Sequence, residues 1–166
     1  MGRWRSPPPK SSPYITTQGF KTLQDELKTL WIRRRGVTSA LAAAAAEGDR
    51  SENAEYIYRK KELREIDRRI RYLQKRLPSL TVVSETPADQ DRIYFAAEVT
   101  VENDAGEEMN YRIVGPDEID TKKGLISIDS PLARALLKKT IDDEVTIRLQ
   151  NKERRYFVVG ISYPGL

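Results

Sequence analysis

The chain has 166 residues, with 29 lysines and arginines against 25 aspartates and glutamates, and it lacks both cysteine and histidine. That length suits one or two small domains, and the missing residues exclude disulfides, thiol nucleophiles, imidazole bases and zinc sites of the usual kind. Any chemistry must come from carboxylates, hydroxyls or lysines. No apolar run approaches the ~18 residues of a membrane span, so a cytoplasmic protein without a membrane partner is expected.

Residues 1–13 are basic and proline-rich, lack the apolar stretch of a signal peptide, and read as a disordered leader. Positions Phe20, Leu23, Leu27, Leu30, Arg34, Val37, Leu41 and Ala44 then alternate spacings of three and four, and all but Arg34 are apolar. This is a helical heptad seam, with Thr16 or Thr17 as its N-cap. The rhythm returns at Tyr56, Arg59, Leu63, Ile66, Ile70, Leu73 and Leu77. Neither stripe can be buried alone. The two helices, about thirty residues and roughly 45 Å each, are expected to fold back over 48–51 as an antiparallel coiled-coil hairpin. Val37 then faces Leu63, and Leu30 faces Ile70. Ala40 and the alanines at 42–46 keep the approach to the turn slim.

Pro78 is expected to end the second helix and to push Leu77 out of helical geometry. The chain thus divides into a leader (1–13), a coiled-coil domain (14–78) and a second domain (79–166). Apolar runs in the second domain, at 80–83, 93–101, 109–114, 125–128, 145–149 and 156–163, are short and rich in β-branched or aromatic residues. Turn chemistry stands at 103–107 and 115–117. One helix opens with Ser130 as N-cap and Pro131 in first position, and presents Leu132, Ala135 and Leu136 on one face. The expected class is α+β: a coiled-coil hairpin followed by a bent antiparallel sheet with one short helix.

Charge is divided by position. Residues 1–78 hold 18 basic against 9 acidic residues, and 79–166 hold 11 against 16. The first half is the candidate polyanion binder. Within it, 59–76 carries nine cations against Glu62, Glu65 and Asp67, whereas 47–55 carries Glu47, Asp49, Glu52 and Glu55 against Arg50. The two signs cannot serve the same part of one ligand. Lys60, Arg64, Arg68, Arg71 and Lys75 recur at spacings of four and three as one ribbon, which favours nucleic acid over a merely solvated face. Tyr58 and Tyr72 could add stacking, though aromatics at helical spacing more often pack. In the acidic turn, Asp49 and Glu52 project in one direction if the second helix starts nearby, and paired carboxylates suit Mg²⁺ if a substrate or partner supplies further oxygens. Capping is the commoner use of such residues: Asp49 or Ser51 as N-cap, Glu52 and Glu55 in the first turn. The two uses are compatible.

Two motifs, GDRSENAEY at 48–56 followed by RKKELREIDRRIRYL at 59–73, and ISIDSPLARALLKK at 126–139, resemble the Gre transcript cleavage factors of bacteria, of the GreB type. The likeness covers 15–163 and raises the metal reading of the turn above capping. It implies a coiled coil that enters the secondary channel of bacterial RNA polymerase and an FKBP-like domain that docks outside it. Asp49 and Glu52 would be the catalytic and metal-holding pair, sharing Mg²⁺ with polymerase aspartates and orienting water. This is two-metal phosphodiester hydrolysis. Arg59, Lys60, Lys61, Arg64 and Arg68 would lie along the extruded 3′ end of backtracked RNA. Asp129, Ser130 and Pro131 would dock on the polymerase rim. The protein would then be no enzyme itself but a monomeric factor that stimulates polymerase's own cleavage activity. The long leader and the uniform alanine run depart from the family pattern.

Three rivals follow. A channel-binding inhibitor would need the rod and docking turn but not the Asp49/Glu52 pair. A prolyl isomerase would want an aromatic-walled pocket, yet Trp4 and Trp31 lie outside the second domain. A plain nucleic-acid-binding coiled coil would leave the acidic turn unexplained.

Overall fold

The computed structural model describes residues 10–48 and 53–165. Its first element is a short strand, β1 (Tyr14–Thr16), which leads into α1 (Thr17–Ala45). The Thr16 hydroxyl accepts the Gly19 N–H at 3.1 Å and so takes the N-cap role. Helix α2 spans Ala54–Arg76, and the chain divides into a hairpin unit, Phe20–Leu80, and a unit that joins the segment up to Gly19 with Thr81 onward.

At 29 and 23 residues the helices run about 43 and 35 Å. Their pairing is antiparallel: Glu26 meets Arg69, Arg33 meets Glu62, Arg34 meets Asp67, and Ala44 meets Asn53. From Glu26 to Ala44 along α1 the partners run back from Arg69 to Asn53. The expected seam is the buried one. Val37, Ile66 and Ile70 form a cluster, with Leu27, Leu30 and Leu63 packed against it. Leu23, Ala44 and Leu73 are also buried. Pro78 does stop α2, but Leu77 keeps helical dihedrals (φ −51°, ψ −47°) and opens a 3₁₀ turn over Leu77–Ser79 that has room for the proline.

The second unit holds β2 (Thr81–Val83), β3 (Glu98–Asn103), β4 (Glu108–Val114), β5 (Leu125–Ser127), α3 (Pro131–Leu136), β6 (Glu144–Leu149) and β7 (Lys152–Ser162). The five-stranded sheet has the order β5-β4-β3-β7-β6. The expectation of strictly antiparallel pairing fails at one edge: the sheet is mixed, because β5 pairs parallel to β4. The chain reaches β5 by a crossover through two 3₁₀ turns, Pro116–Glu118 and Thr121–Lys123, which brings it back to the same sheet end. The 93–101 run is only half strand: Ile93 to Ala97 lie outside β3, with Ala96 at φ +71°. Val99 and Val101 of β3, and Val145 and Ile147 of β6, are buried while Glu98, Glu144, Thr146 and Arg148 face out. Ala133 and Leu136 of α3 close the core over Ile113, Val158 and Tyr156.

Strand β1 has no counterpart among the expected elements, and it displaces the expected domain boundary. Tyr14, Ile15 and Thr16 pair in parallel with Thr81, Val82 and Val83, so 14–19 belong with the sheet unit and the hairpin runs on to Leu80. Glu118 holds β1 within the sheet unit. Its carboxylate accepts from the Thr16 N–H at 3.1 Å, the Thr16 hydroxyl and the Gly115 N–H at 2.7 Å. Glycine is required at Gly115, where the approach is to backbone, whereas at Gly19 an added Cβ would displace the Glu118 side chain. A Cβ on Gly115 would stand 2.0 Å from the Tyr14 carbonyl oxygen, and one on Gly19 would stand 2.0 Å from Glu118 Oε1.

Candidate functional site

The acidic turn is bounded by two described ends. Helix α1 stops at Ala45, Gly48 adopts φ +124°, and α2 restarts at Ala54. Asn53 caps α2 with an extended backbone (φ −84°, ψ 99°), its Oδ1 accepting from the Tyr56 N–H at 3.0 Å. Its Nδ2 donates to the Ala44 carbonyl oxygen at 2.7 Å and ties the two helix ends together. This corrects the capping expectation: neither Asp49 nor Ser51 is the N-cap, and Glu52 precedes the first turn, where Glu55 alone is acidic. Asp49 and Glu52 lie outside the described residues, as does Ser51. Their donor set, two carboxylates flanking a hairpin turn, suits a hard cation that keeps oxygens from elsewhere. Among the described residues, no cluster of three or more acidic side chains could hold a metal alone.

The cations of α2 fall into two groups. Lys60, Arg64, Arg68, Arg71 and Lys75 are exposed, and so is Lys61 beside them. Arg59, expected among the RNA-binding residues, belongs to the other group. Its Nε donates to Glu55 at 2.8 Å and its Nη1 to Glu62 at 2.9 Å, with its guanidinium 5.5 Å from the Tyr58 ring centroid. Glu62 also receives Arg33 from α1 at 2.8 Å. Hydrogen bonding from Arg33 first, then from Arg59, holds the Glu62 carboxyl below its ordinary value against the opposing effect of burial. Arg69 grips Glu26 with two bonds, at 2.7 and 3.0 Å. These side chains clamp the hairpin; the ribbon is what remains available for a ligand.

The expected docking turn lies between β5 and α3. Ser130 caps α3, its hydroxyl accepting from the Ala133 N–H at 3.2 Å, and Pro131 is exposed at the first helical position. Asp129 is turned toward the leader: its carboxylate accepts from the Ser12 N–H at 2.9 Å and from the Ser12 hydroxyl. The end of the segment read as a disordered leader is thus pinned, while 1–9 lie outside the described residues.

Two family models cover almost the whole chain. "Transcription elongation factor, N-terminal" matches residues 13–82, and "Transcription elongation factor, GreA/GreB, C-term" matches residues 88–163. The chain belongs to the GreA/GreB family of transcription elongation factors. It is 56% identical over 165 residues to transcription elongation factor GreB of Pseudomonas aeruginosa, covering 99% of this chain and 98% of that one. It is also 56% identical over 168 residues to GreB of Xanthomonas axonopodis pv. citri, covering 100% of both. Among solved structures it is similar to GreA factor homolog 1 (Gfh1) of Thermus thermophilus, at 23% identity, 90% and 97% coverage and a TM-score of 0.42. A GreA/GreB factor from Nitrosomonas europaea gives 21%, 92% and 100%, with a TM-score of 0.42. The assignment rests on the sequence matches, not on those superpositions.

Sequence reasoning about this Gre-family chain missed the clamp. Asn53 stood inside the quoted motif, and asparagine before a helical run is an N-cap signal; its second bond to Ala44 has no local signature. Along the sequence Glu62 is one of three anions diluting a basic stretch, whereas in the fold Arg33 and Arg59 surround it.

Proposed function

We propose that this chain is a GreB-type transcript cleavage factor that stimulates the intrinsic Mg²⁺-dependent cleavage of backtracked nascent RNA by bacterial RNA polymerase. The observation that carries the reading is the division of labour on the hairpin. Asn53 caps α2 and ties it to α1, and paired arginines clamp the hairpin, while Lys60, Lys61, Arg64 and Arg68 stand exposed to a ligand. The near-complete match to relatives named GreB supports the same reading.

In this reading Asp49 and Glu52 offer carboxylate oxygens to the polymerase active centre and position water there. Lys60, Lys61, Arg64 and Arg68 neutralise phosphates of the extruded 3′ segment and hold it in register with the turn. Bound at that site, Mg²⁺ supplies Lewis-acid activation of water and stabilises the oxygens of the displaced phosphodiester. Arg59 positions Glu62 and Glu55 and does not meet the ligand directly. Asp129, Ser130 and Pro131 serve the polymerase rim, with Pro131 as the exposed member. The factor has no hydrolytic activity alone, acts as a monomer and works in the cytoplasm.

The test is incubation with a purified, backtracked elongation complex and Mg²⁺. The wild-type chain should shorten the RNA. Asp49→Ala and Glu52→Ala should each abolish stimulation while polymerase binding, measured separately, persists. Cleavage by both variants at the wild-type rate would overturn the carboxylate role. Binding that slows elongation without shortening RNA would identify a channel inhibitor instead.

A further inference from the structure

Two grooves flank the hairpin seam, and they differ in chemistry. One is lined by Leu30, Arg33, Glu62, Glu65, Ile66 and Arg69, and is crossed by the Arg33–Glu62 ion pair. The other, a shallow groove of about 390 Å³, is lined by Trp31, Arg34, Asp67, Ile70, Arg71 and Gln74. Trp31 is 42% exposed, unusual for a large aromatic on a hairpin that buries its seam well. Arg34 stands behind it, its guanidinium 6.0 Å from the ring centroid, and is anchored by its Nε donating to Asp67 at 2.6 Å. Asp67, the one carboxylate among the described residues that line this groove, is thereby neutralised.

The rim is cationic on both helices. On α1, Lys28 and Arg35 lie three residues before and four after Trp31, next to it on the helix surface, and both are exposed. On α2, Arg71 lines the groove, and exposed Arg68 and Lys75 continue the ribbon on either side of it. Asp25, three residues before Lys28 on α1, is held by Lys21 at 2.9 Å. A planar aromatic held by a guanidinium and framed by cations on two sides matches a single-stranded polynucleotide: bases stack on the ring while phosphates run along the lysines and arginines.

We infer that the groove at Trp31 is a base-stacking subsite for single-stranded RNA, which extends the cationic ribbon of α2 across the seam onto α1. Charge complementarity selects RNA over a protein surface, since the carboxylate in the groove is already paired. The inference rests on the reading that the ribbon meets RNA, and it needs no polymerase for its test.

The chain has two tryptophans, Trp4 and Trp31, so a full-length Trp4→Phe variant leaves Trp31 as the only indole. Titration with an oligouridylate should quench its fluorescence, whereas inorganic polyphosphate, which has charge but no bases, should not. In the same background Trp31→Ala should weaken oligouridylate binding roughly five- to 150-fold, the span that loss of one base-aromatic stack predicts, and Trp31→Phe should restore most of it. Circular dichroism shows whether either variant has lost its helices. Oligouridylate affinity left unchanged by Trp31→Ala in a folded chain, or quenching by polyphosphate as deep as by RNA, would overturn the subsite. Loss of polymerase binding in Trp31→Ala with oligonucleotide affinity unchanged would assign the groove to protein and also overturn it. None of these results bears on the carboxylate pair, which is tested by cleavage.

Discussion

The two flanks of the hairpin use the same residue type for opposite ends. On one flank arginines are consumed internally: Arg33 and Arg59 converge on Glu62, and Arg69 takes Glu26 with both arms of its guanidinium. On the other, Arg68 and Arg71 stand exposed, and Arg34 is paired to Asp67. A count of charge along α2 cannot separate them. What separates clamp from ribbon is a carboxylate within reach, on the same helix for Arg59 and across the seam for Arg33, Arg34 and Arg69, because an arginine satisfied by its own fold has little left for a phosphate.

Substitutions can break that contrast, and the largest effect belongs to the seam that both flanks share. Ile70→Ala should cost about 2–5 kcal/mol of stability, read as a fall in thermal midpoint, and should leave the intrinsic affinity for RNA of the folded fraction unchanged. Next comes the seating of β1 against Gly115 and Glu118. Gly115→Ala drives a methyl into the Tyr14 carbonyl and should lower the melting temperature sharply, with Glu118→Ala giving a milder loss; unchanged melting in both would show that β1 is dispensable.

The clamped flank comes third. Glu62→Gln keeps shape but loses the charge that Arg33 and Arg59 share, so the hairpin should melt earlier at neutral pH. Because the folded carboxyl is held below its ordinary value of 4.5, its contribution is fully present above that value. It is lost as pH falls through the lower, folded one. The gap between wild type and Glu62→Gln should therefore close in acid, and a gap that stays constant as the pH falls well below the ordinary carboxylate range would contradict the pairing. Asn53→Asp sharpens the point at the turn: it keeps the acceptor for Tyr56 but removes the donor to Ala44, and should destabilise less than Asn53→Ala, which loses about 0.5–2 kcal/mol from the cap alone.

The smallest change in stability, and the clearest change in binding, belongs to the open flank. Arg64→Ala with Arg68→Ala should leave the melting temperature almost unmoved. It should weaken oligonucleotide binding and reduce the salt dependence by roughly one to two counterions. Arg59→Ala should do the reverse. An Arg59 variant that bound RNA more weakly at wild-type stability would place Arg59 back on the ribbon.

Local pattern alone determined much of this protein. The heptad spacing from Phe20 to Ala44 and from Tyr56 to Leu77 named the buried seam and its antiparallel pairing, because burying a helical stripe needs only the 3.6-residue repeat and a second stripe to meet it. Ser130 and Pro131 named the start of α3, since capping acts within one turn. The motif at 48–56 carried the family. Tertiary structure alone decided what depends on contacts between distant residues. The parallel β4–β5 pair, the β1 strand locked by Glu118 from 102 residues away, the double duty of Asn53 and the sorting of arginines into clamp and ribbon each require two segments to arrive at one place. Side-chain charge and hydrogen-bonding capacity can be read from a residue's identity, but the partner that satisfies them is chosen by the fold.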